Sequence, residues 1–287
     1  MPGAAHPRVA LTGASGFLGS HVHAALLTAG CDVRLVDREA LGSSLADLSA
    51  TLGAAGDVDA VVHLAAAGVS PKHAAPDVLR VVNAELPARL VAAAAHAGID
   101  RLVIAGTAAE YGMSADEYAN LPADAPLRPT SKYARSKAIG FAGAVDAAHE
   151  HEVTLDHLRV FNAFGPGQDP RALWPALHEA AVRGNDLDLS SGAQVRDFIP
   201  VGAVAAAFVT AVCHPELGRG VRVRNVGTGK GTTVRRFAEL WWEHWGATAT
   251  LRFGAIPDRE DEPGRLVADD GTMVRLSGPV DVDRTWP

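Results

Sequence analysis

The chain has 287 residues, 48% of them hydrophobic and 21% charged, with a formal net charge of −7. It is long enough for one large α/β unit with a smaller companion. The acidic balance, with no long basic run, excludes nucleic acid as a partner, and the longest apolar run, residues 204–213, is too short to span a bilayer.

That apolar run instead predicts a buried helix. No charged-then-apolar leader precedes the first strand, and Cys31 and Cys213 lie in apolar settings where buried thiols are expected, so the expected location is the cytoplasm. In chain order, residues 8–12 (RVALT) predict a first strand, and Leu18, Val22, Ala25 and Leu26 then recur at helical spacing. Residues 32–37 predict a second strand, 43–49 a brief third, and 59–66 and 100–106 two more. Between the last two runs a helix ending at Gly98, which Pro87 either kinks or divides. Residues 130–150 predict a helix capped by Thr130 or Ser131, and 153–162 and 220–227 further strands. Trp241, Trp242 and Trp245 form a helix face turned to the core or to a subunit contact.

Strands alternating with helices imply an α/β fold: a Rossmann-type doubly wound parallel sheet with ligands at the carboxyl ends of its strands. The expected division gives residues 1–165 with 201–246 to a dinucleotide-binding unit, and 166–200 with 247–287 to a smaller C-terminal substrate lobe.

The chemistry-bearing residues fall at that rim. Gly13, Gly16 and Gly19 stand where the first strand turns into the first helix. A pyrophosphate needs backbone N–H groups at a helix N-terminus and no Cβ in the way, although a ligand-free tight turn uses glycines too. Asp37 ends the second strand, where a carboxylate accepts ribose hydroxyls or simply caps a helix. Asp37 favours NAD, and its neighbour Arg38, able to receive a 2′-phosphate, keeps NADP open. Tyr133 and Lys137 are four apart on one helix face, a spacing at which an ammonium stabilises a phenolate and makes tyrosine a usable acid and base. Thr107 ends a strand at the same rim, as a hydroxyl donor or a cap. No His, Cys, Asp or Glu set converges with metal-ligand spacing, so no metal is expected.

The motifs TGASGFLG, VVHLAA, VNAELP, AGTAAEYG, YARSK, LRVFNAFGPGQ, VRDFIPV and NVGTG follow one another over about the first 270 residues. In that order they are similar to an extended short-chain dehydrogenase/reductase of the nucleotide-sugar epimerase/dehydratase type. The resemblance implies Thr107, Tyr133 and Lys137 as the catalytic group, with Gly13, Gly16, Phe17, Leu18 and Gly19 at the pyrophosphate. It puts Asp37 and Arg38 at the adenosine ribose, Asp47 and Leu48 beside adenine, and Leu64, Ala65 and Ala66 under the dinucleotide. Val160 lies near the nicotinamide, Asn83 supports the site, and Asn162, Arg196 and Arg259 hold a nucleoside diphosphate. Taken as plain sequence, Arg196 is equally a partner for Asp197, and Arg259 a solvated charge.

Dehydratases of this type carry Asp-Glu after the catalytic threonine; here Ala108 and Ala109 stand there and move no proton. Residues 105–137 resemble most the reductases of 4-keto-6-deoxyhexoses, of the abequose synthase kind, so the expected activity is an NAD(P)H-dependent ketoreductase. A 4-epimerase, a ketoreductase acting on a non-nucleotide carbonyl and a non-catalytic dinucleotide sensor are the alternatives. Related proteins pair through the helices around 76–97 and 131–150, which implies a homodimer.

Overall fold

A computed structural model of the chain describes residues 6–54, 58–68, 75–214, 218–259, 262–269 and 273–286. Its centre is a seven-stranded sheet in the order β13-β9-β5-β4-β3-β1-β2. These strands are β1 (Arg8–Thr12), β2 (Asp32–Val36), β3 (Ala60–His63), β4 (Arg101–Thr107), β5 (Thr154–Val160), β9 (Val221–Val226) and β13 (Met273–Leu276). All neighbours are parallel except β13, which runs antiparallel to β9. Strands β3, β4 and β5 are buried almost throughout, as a sheet covered on both faces requires.

One face is covered by α1 (Phe17–Thr28) and α8 (Val201–Cys213), whose Val22, Leu26, Val204 and Phe208 are fully buried. The expected helix over 204–213 is therefore α8. On the other face lie α3 (Leu45–Ala54), α5 (Leu86–His96) and α6 (Lys132–Glu150), joined through Leu48, Leu52, Leu90, Phe141 and Val145. Ahead of α5 the chain runs through α4 (Pro76–Leu79) and a π-helical stretch, Arg80–Glu85, so the wide turn comes before Pro87, which opens the second half.

The third strand expected at 43–49 is absent. Residues Arg38–Gly42 form α2 and 45–54 form α3, because Asp37 caps the first helix and Leu41, Leu48 and Leu52 supply a helical apolar stripe. Strand β2 is therefore the sheet's edge. The cysteines, remote in sequence, meet with their Sγ atoms 3.8 Å apart, Cys213 only half-buried. Burial and the second thiol push Cys31 up to about 11. Between strands, Asp156 of β5 receives Arg222 Nε of β9 at 2.6 Å and Arg101 of β4 at 3.4 Å.

A second layer sits over the carboxyl rim: β6 (Asn162–Phe164), β8 (Val195–Pro200), β10 (Gly231–Thr233) and β12 (Arg265–Leu266) in one sheet. A separate pair joins β7 (Leu187–Leu189) and β11 (Leu251–Phe253). Helix α9 (Val234–His244), assigned by its sequence position to the larger unit, packs instead on α7 (Leu173–Arg183) through Phe237, Ala238 and Trp242 against Leu177 and Ala180. Conversely, β13 joins the main sheet although it lies in the expected lobe. Trp242 is core, its Nε1 donating to the Ala249 carbonyl, and Trp241 and Trp245 join Trp174 in an aromatic cluster.

Candidate active site

The turn after β1 is built by what its glycines lack. Gly13 has φ +73°, and a Cβ there would lie 2.5 Å from the Ala65 nitrogen; at Gly19 it would lie 1.9 Å from the Gly13 carbonyl oxygen. These two glycines press α1 and the loop after β3 together. Gly16 differs: an added Cβ would touch only the Gly13 oxygen, at 3.4 Å, so its missing side chain leaves room on the solvent side. No side chain caps α1 and no acidic residue stands in its first turn, which leaves its N–H groups for an anion. Phe17 and Leu18 are half-buried beside this turn.

The loop after β3, which carries Leu64, Ala65 and Ala66, is held by Thr12. Its Oγ1 accepts the Leu64 and Ala65 N–H groups at 3.3 Å each and is bonded to His63 Nδ1 at 2.7 Å. Burial, followed by the Lys137 charge, lowers His63 to about 3, so the ring is neutral. Asn83 ties the next residue to α6. Its Oδ1 accepts from Ala67 N, and its Nδ2 donates to the Ala67 carbonyl, both at 2.8 Å, and to Ser136 Oγ at 3.0 Å. Ser136 Oγ in turn donates to the Tyr133 carbonyl at 2.7 Å.

Helix α6 brings Tyr133 and Lys137 to the rim beside Thr107, capped at its start by Ser131, whose Oγ accepts from Ala134 N. The Tyr133 hydroxyl lies beside the Thr107 side chain. Lys137 is buried and its Nζ donates to the Ala105 carbonyl at 2.7 Å. Burial and then the Glu110 carboxylate push Tyr133 upward, the Thr107 hydroxyl only partly offsetting them, while burial pulls Lys137 downward.

At the adenosine end Asp37 is exposed at the tip of β2, and its Oδ1 accepts from Ala40 N at 2.8 Å, which is the helix-cap role. Arg38 is exposed beside it. Asp47 is exposed and receives the Ser44 hydroxyl at 2.7 Å. Leu48 is fully buried under α5, so its side chain cannot flank an adenine; the helical α3, in place of a strand, turns it inward. Val160 closes β5 inside the core.

Toward the second layer, Asn162 on β6 has a buried Oδ1 with no protein partner, and Gln168 Oε1 is in the same state. Arg196 on β8 is buried and does not pair with Asp197. That carboxylate instead accepts from Thr228 N and Gly229 N at 2.8 and 2.9 Å and from Ala268 N at 3.2 Å, which accounts for the NVGTG turn. Arg196 Nη2 reaches Glu262 at 3.0 Å, and Arg259 Nη1 reaches the same carboxylate at 2.6 Å. Two of the expected diphosphate-binding residues thus already converge on one anion.

Sequence reasoning overlooked Glu262, Thr12, Ser136 and the buried Glu110. The last was legible in part: Thr107-x-x-Glu110 is a capping box, with both reciprocal bonds formed. Among the described residues no cluster could hold a metal ion, and no helix is long and apolar enough to cross a membrane.

A family model described as the NAD dependent epimerase/dehydratase family matches residues 9–227. The chain is 32% identical to the UDP-glucose 4-epimerase of Azospirillum brasilense, over 92% of this chain and 84% of that one. It is 31% identical to the dTDP-6-deoxy-L-talose 4-dehydrogenase (NAD(P)(+)) of Kitasatospora kifunensis, over 90% and 85%. A solved structure of MoeE5 in complex with UDP-glucuronic acid and NAD matches with a TM-score of 0.79 at 30% identity, over 91% of this chain and 89% of that one.

Proposed function

Because the chain belongs to the NAD dependent epimerase/dehydratase family, we propose that it is an NAD-dependent 4-epimerase of nucleoside-diphosphate sugars. The similarity to a UDP-glucose 4-epimerase and to a protein bound to UDP-glucuronic acid and NAD favours epimerisation over the ketone reduction expected from residues 105–137. The observation that carries the proposal is that α6 brings Tyr133 beside Thr107 with Lys137 buried next to them, at the rim shared with the glycine turn.

The residues fit a dinucleotide. The Gly16 gap and the uncapped α1 N-terminus suit the pyrophosphate, while Leu64 to Ala66 floor the path toward Val160 and Lys137. When bound, NAD supplies a reversible two-electron acceptor for hydride. Tyr133 takes the proton of the sugar 4-hydroxyl as C4 is oxidised and returns it as C4 is reduced, the ketone presenting its opposite face in between. Thr107 orients the same oxygen. Lys137, as an ammonium, opposes the charge gained by Tyr133 when it gives up its proton.

No further acid is required, which agrees with Ala108 and Ala109; Glu110, the next carboxylate, is buried and turned toward β5. Arg196 and Arg259 exchange Glu262 for the diphosphate, their forks matching its oxygens. Asn162 Oδ1 is the acceptor left for the sugar or nucleoside. Pairing into a homodimer through α4, α5 and α6 is part of the same proposal, and Val78 and Val81 stand exposed on that side.

The test is to incubate the protein with UDP-glucose or UDP-galactose and no added reductant, and to follow the C4 epimer by NMR. The expected result is interconversion with no net change in nicotinamide absorbance, abolished in Tyr133→Phe. Consumption of NADH or NADPH by a 4-keto-6-deoxy sugar, with no interconversion, would establish a reductase instead.

A further inference from the structure

Beneath the reacting group lies a buried set of charges that the proton transfer does not use. The Glu110 Oε1 accepts the Thr107 backbone N–H at 2.8 Å, and its Oε2 receives Arg159 Nε at 2.8 Å with His157 Nε2 at 3.0 Å. Arg159 also donates to the Tyr111 hydroxyl at 3.0 Å and the Ala123 carbonyl at 2.9 Å. Its guanidinium lies over the rings of Tyr111 and Phe141, and Phe141 stacks on His157.

Gly106 is what lets these groups meet. A Cβ there would lie 2.2 Å from His157 Nε2 and 2.8 Å from Glu110 Oε1. A buried ion pair contributes little over a well-packed apolar replacement, so stability alone does not account for a strand residue without a side chain, an imidazole and a charge pair in this place. What Glu110 touches does. On one side its carboxylate holds the backbone of Thr107. On the other, its field reaches both Tyr133 and Lys137, opposing ionisation of the phenol and loss of the ammonium proton. His157 is kept neutral by burial, and Lys137 has a neutral carbonyl, that of Ala105, as its hydrogen-bond partner.

We propose that Glu110 is a positioning residue for the Thr107, Tyr133 and Lys137 group: held by Arg159 and His157, its carboxylate anchors the Thr107 backbone and fixes a negative charge beneath the three. This rests on the assignment of Tyr133 and Lys137 to the reaction.

Glu110→Gln keeps an oxygen for the Thr107 N–H and removes the charge. In NAD-saturated protein, phenolate absorbance followed from pH 8 to 12.5, with Tyr133→Phe subtracted, reads the raised Tyr133 phenol against a background of only two other tyrosines. Loss of the anion lowers the Tyr133 midpoint by half a pH unit or more, and the limb of kcat/KM moves acidward with it. At pH 8, kcat falls at least tenfold while the KM for UDP-sugar stays within threefold.

A titration indistinguishable from wild type overturns the proposal. The titration needs no turnover, so it decides this question even where UDP-sugars are not substrates and the epimerase assignment fails. Should Glu110→Gln not fold, with Arg159 left as an unpaired buried charge, the double variant Glu110→Gln/Arg159→Met removes both charges. The same downward midpoint is expected there, and an unmoved one refutes the role equally.

Discussion

Alanine placed at Gly16 and at Gly19 separates the two uses of the first turn. At Gly19 the new methyl would sit 1.9 Å from the Gly13 carbonyl oxygen and 2.8 Å from Ala14 Cα, both backbone atoms that cannot swing aside. Such overpacking costs about 1–3 kcal/mol or more, offset by roughly 1 kcal/mol of better helix propensity. With a 1.9 Å overlap against backbone the cost falls at the upper end of that range, and the net loss of about 1–2 kcal/mol lowers the Tm by roughly 2–8 °C in a chain of this size. At Gly16 the backbone has φ −78° and the added methyl meets only an ordinary 3.4 Å contact. Stability there falls by less than about 1 kcal/mol, the difference between glycine and alanine as a helix cap. The methyl does occupy the space in which a pyrophosphate would approach the α1 amides. We expect a tenfold or greater loss of NAD affinity, about 1.4 kcal/mol. Thermal melts and isothermal titration with NAD, run on both variants, give the comparison. Wild-type NAD affinity in Gly16→Ala would refute the cradle, and an unchanged Tm in Gly19→Ala would refute the packing described for the turn.

Two further outcomes follow from the buried and half-buried charges. Asp156→Asn leaves Arg222, which is 1% exposed, without its counter-charge; a loss of about 3–5 kcal/mol is expected, read as a lower urea midpoint at unchanged m-value. Glu262→Gln is expected to tighten UDP binding severalfold in calorimetry, because a competing anion leaves Arg196 and Arg259. Burial raises the Glu262 carboxyl, but Arg259 and Arg196 outweigh it and hold the group below the ordinary carboxylate range. It is therefore ionised throughout neutral pH, and its clasp is lost only as pH falls through that lowered value. The gain in Glu262→Gln is accordingly flat from pH 6 to 8, and a gain confined to the alkaline end would contradict the assignment.

The parts of the fold and of the candidate site that were legible in the sequence are those set by short-range rules. Strand β1 with its glycine turn, the capped α6 carrying Tyr133 and Lys137, and the strand ending in Thr107 follow from period, caps and spacing. The segment 43–49 misled because Leu41, Leu48 and Leu52 face the core only when the chain coils between Asp37 and α5, a tertiary preference that a short window does not contain. For the same reason Leu48, assigned to a ligand, is packing. Arg196 beside Asp197 shows another boundary: neighbours in a strand point to opposite faces, and each found a partner far along the chain, Glu262 for one and the 228–229 turn for the other. The group formed by Glu110, His157 and Arg159 comes from one strand, β5, and the turn after its neighbour β4, and no local pattern joins them. The ketoreductase reading rests on a resemblance over some thirty residues, whereas the similarity of the chain as a whole favours the epimerase alternative.

Asn83 has a mechanical effect that outlasts any one assignment. Its amide grips the peptide of Ala67 from both sides and the hydroxyl of Ser136 as well, so the strip beneath the dinucleotide path and the helix bearing the phenol form a single stiff piece. On the proposed assignment, the loop that would lie under a nucleotide and the helix bearing its acid–base residue are thus tied together by one side chain.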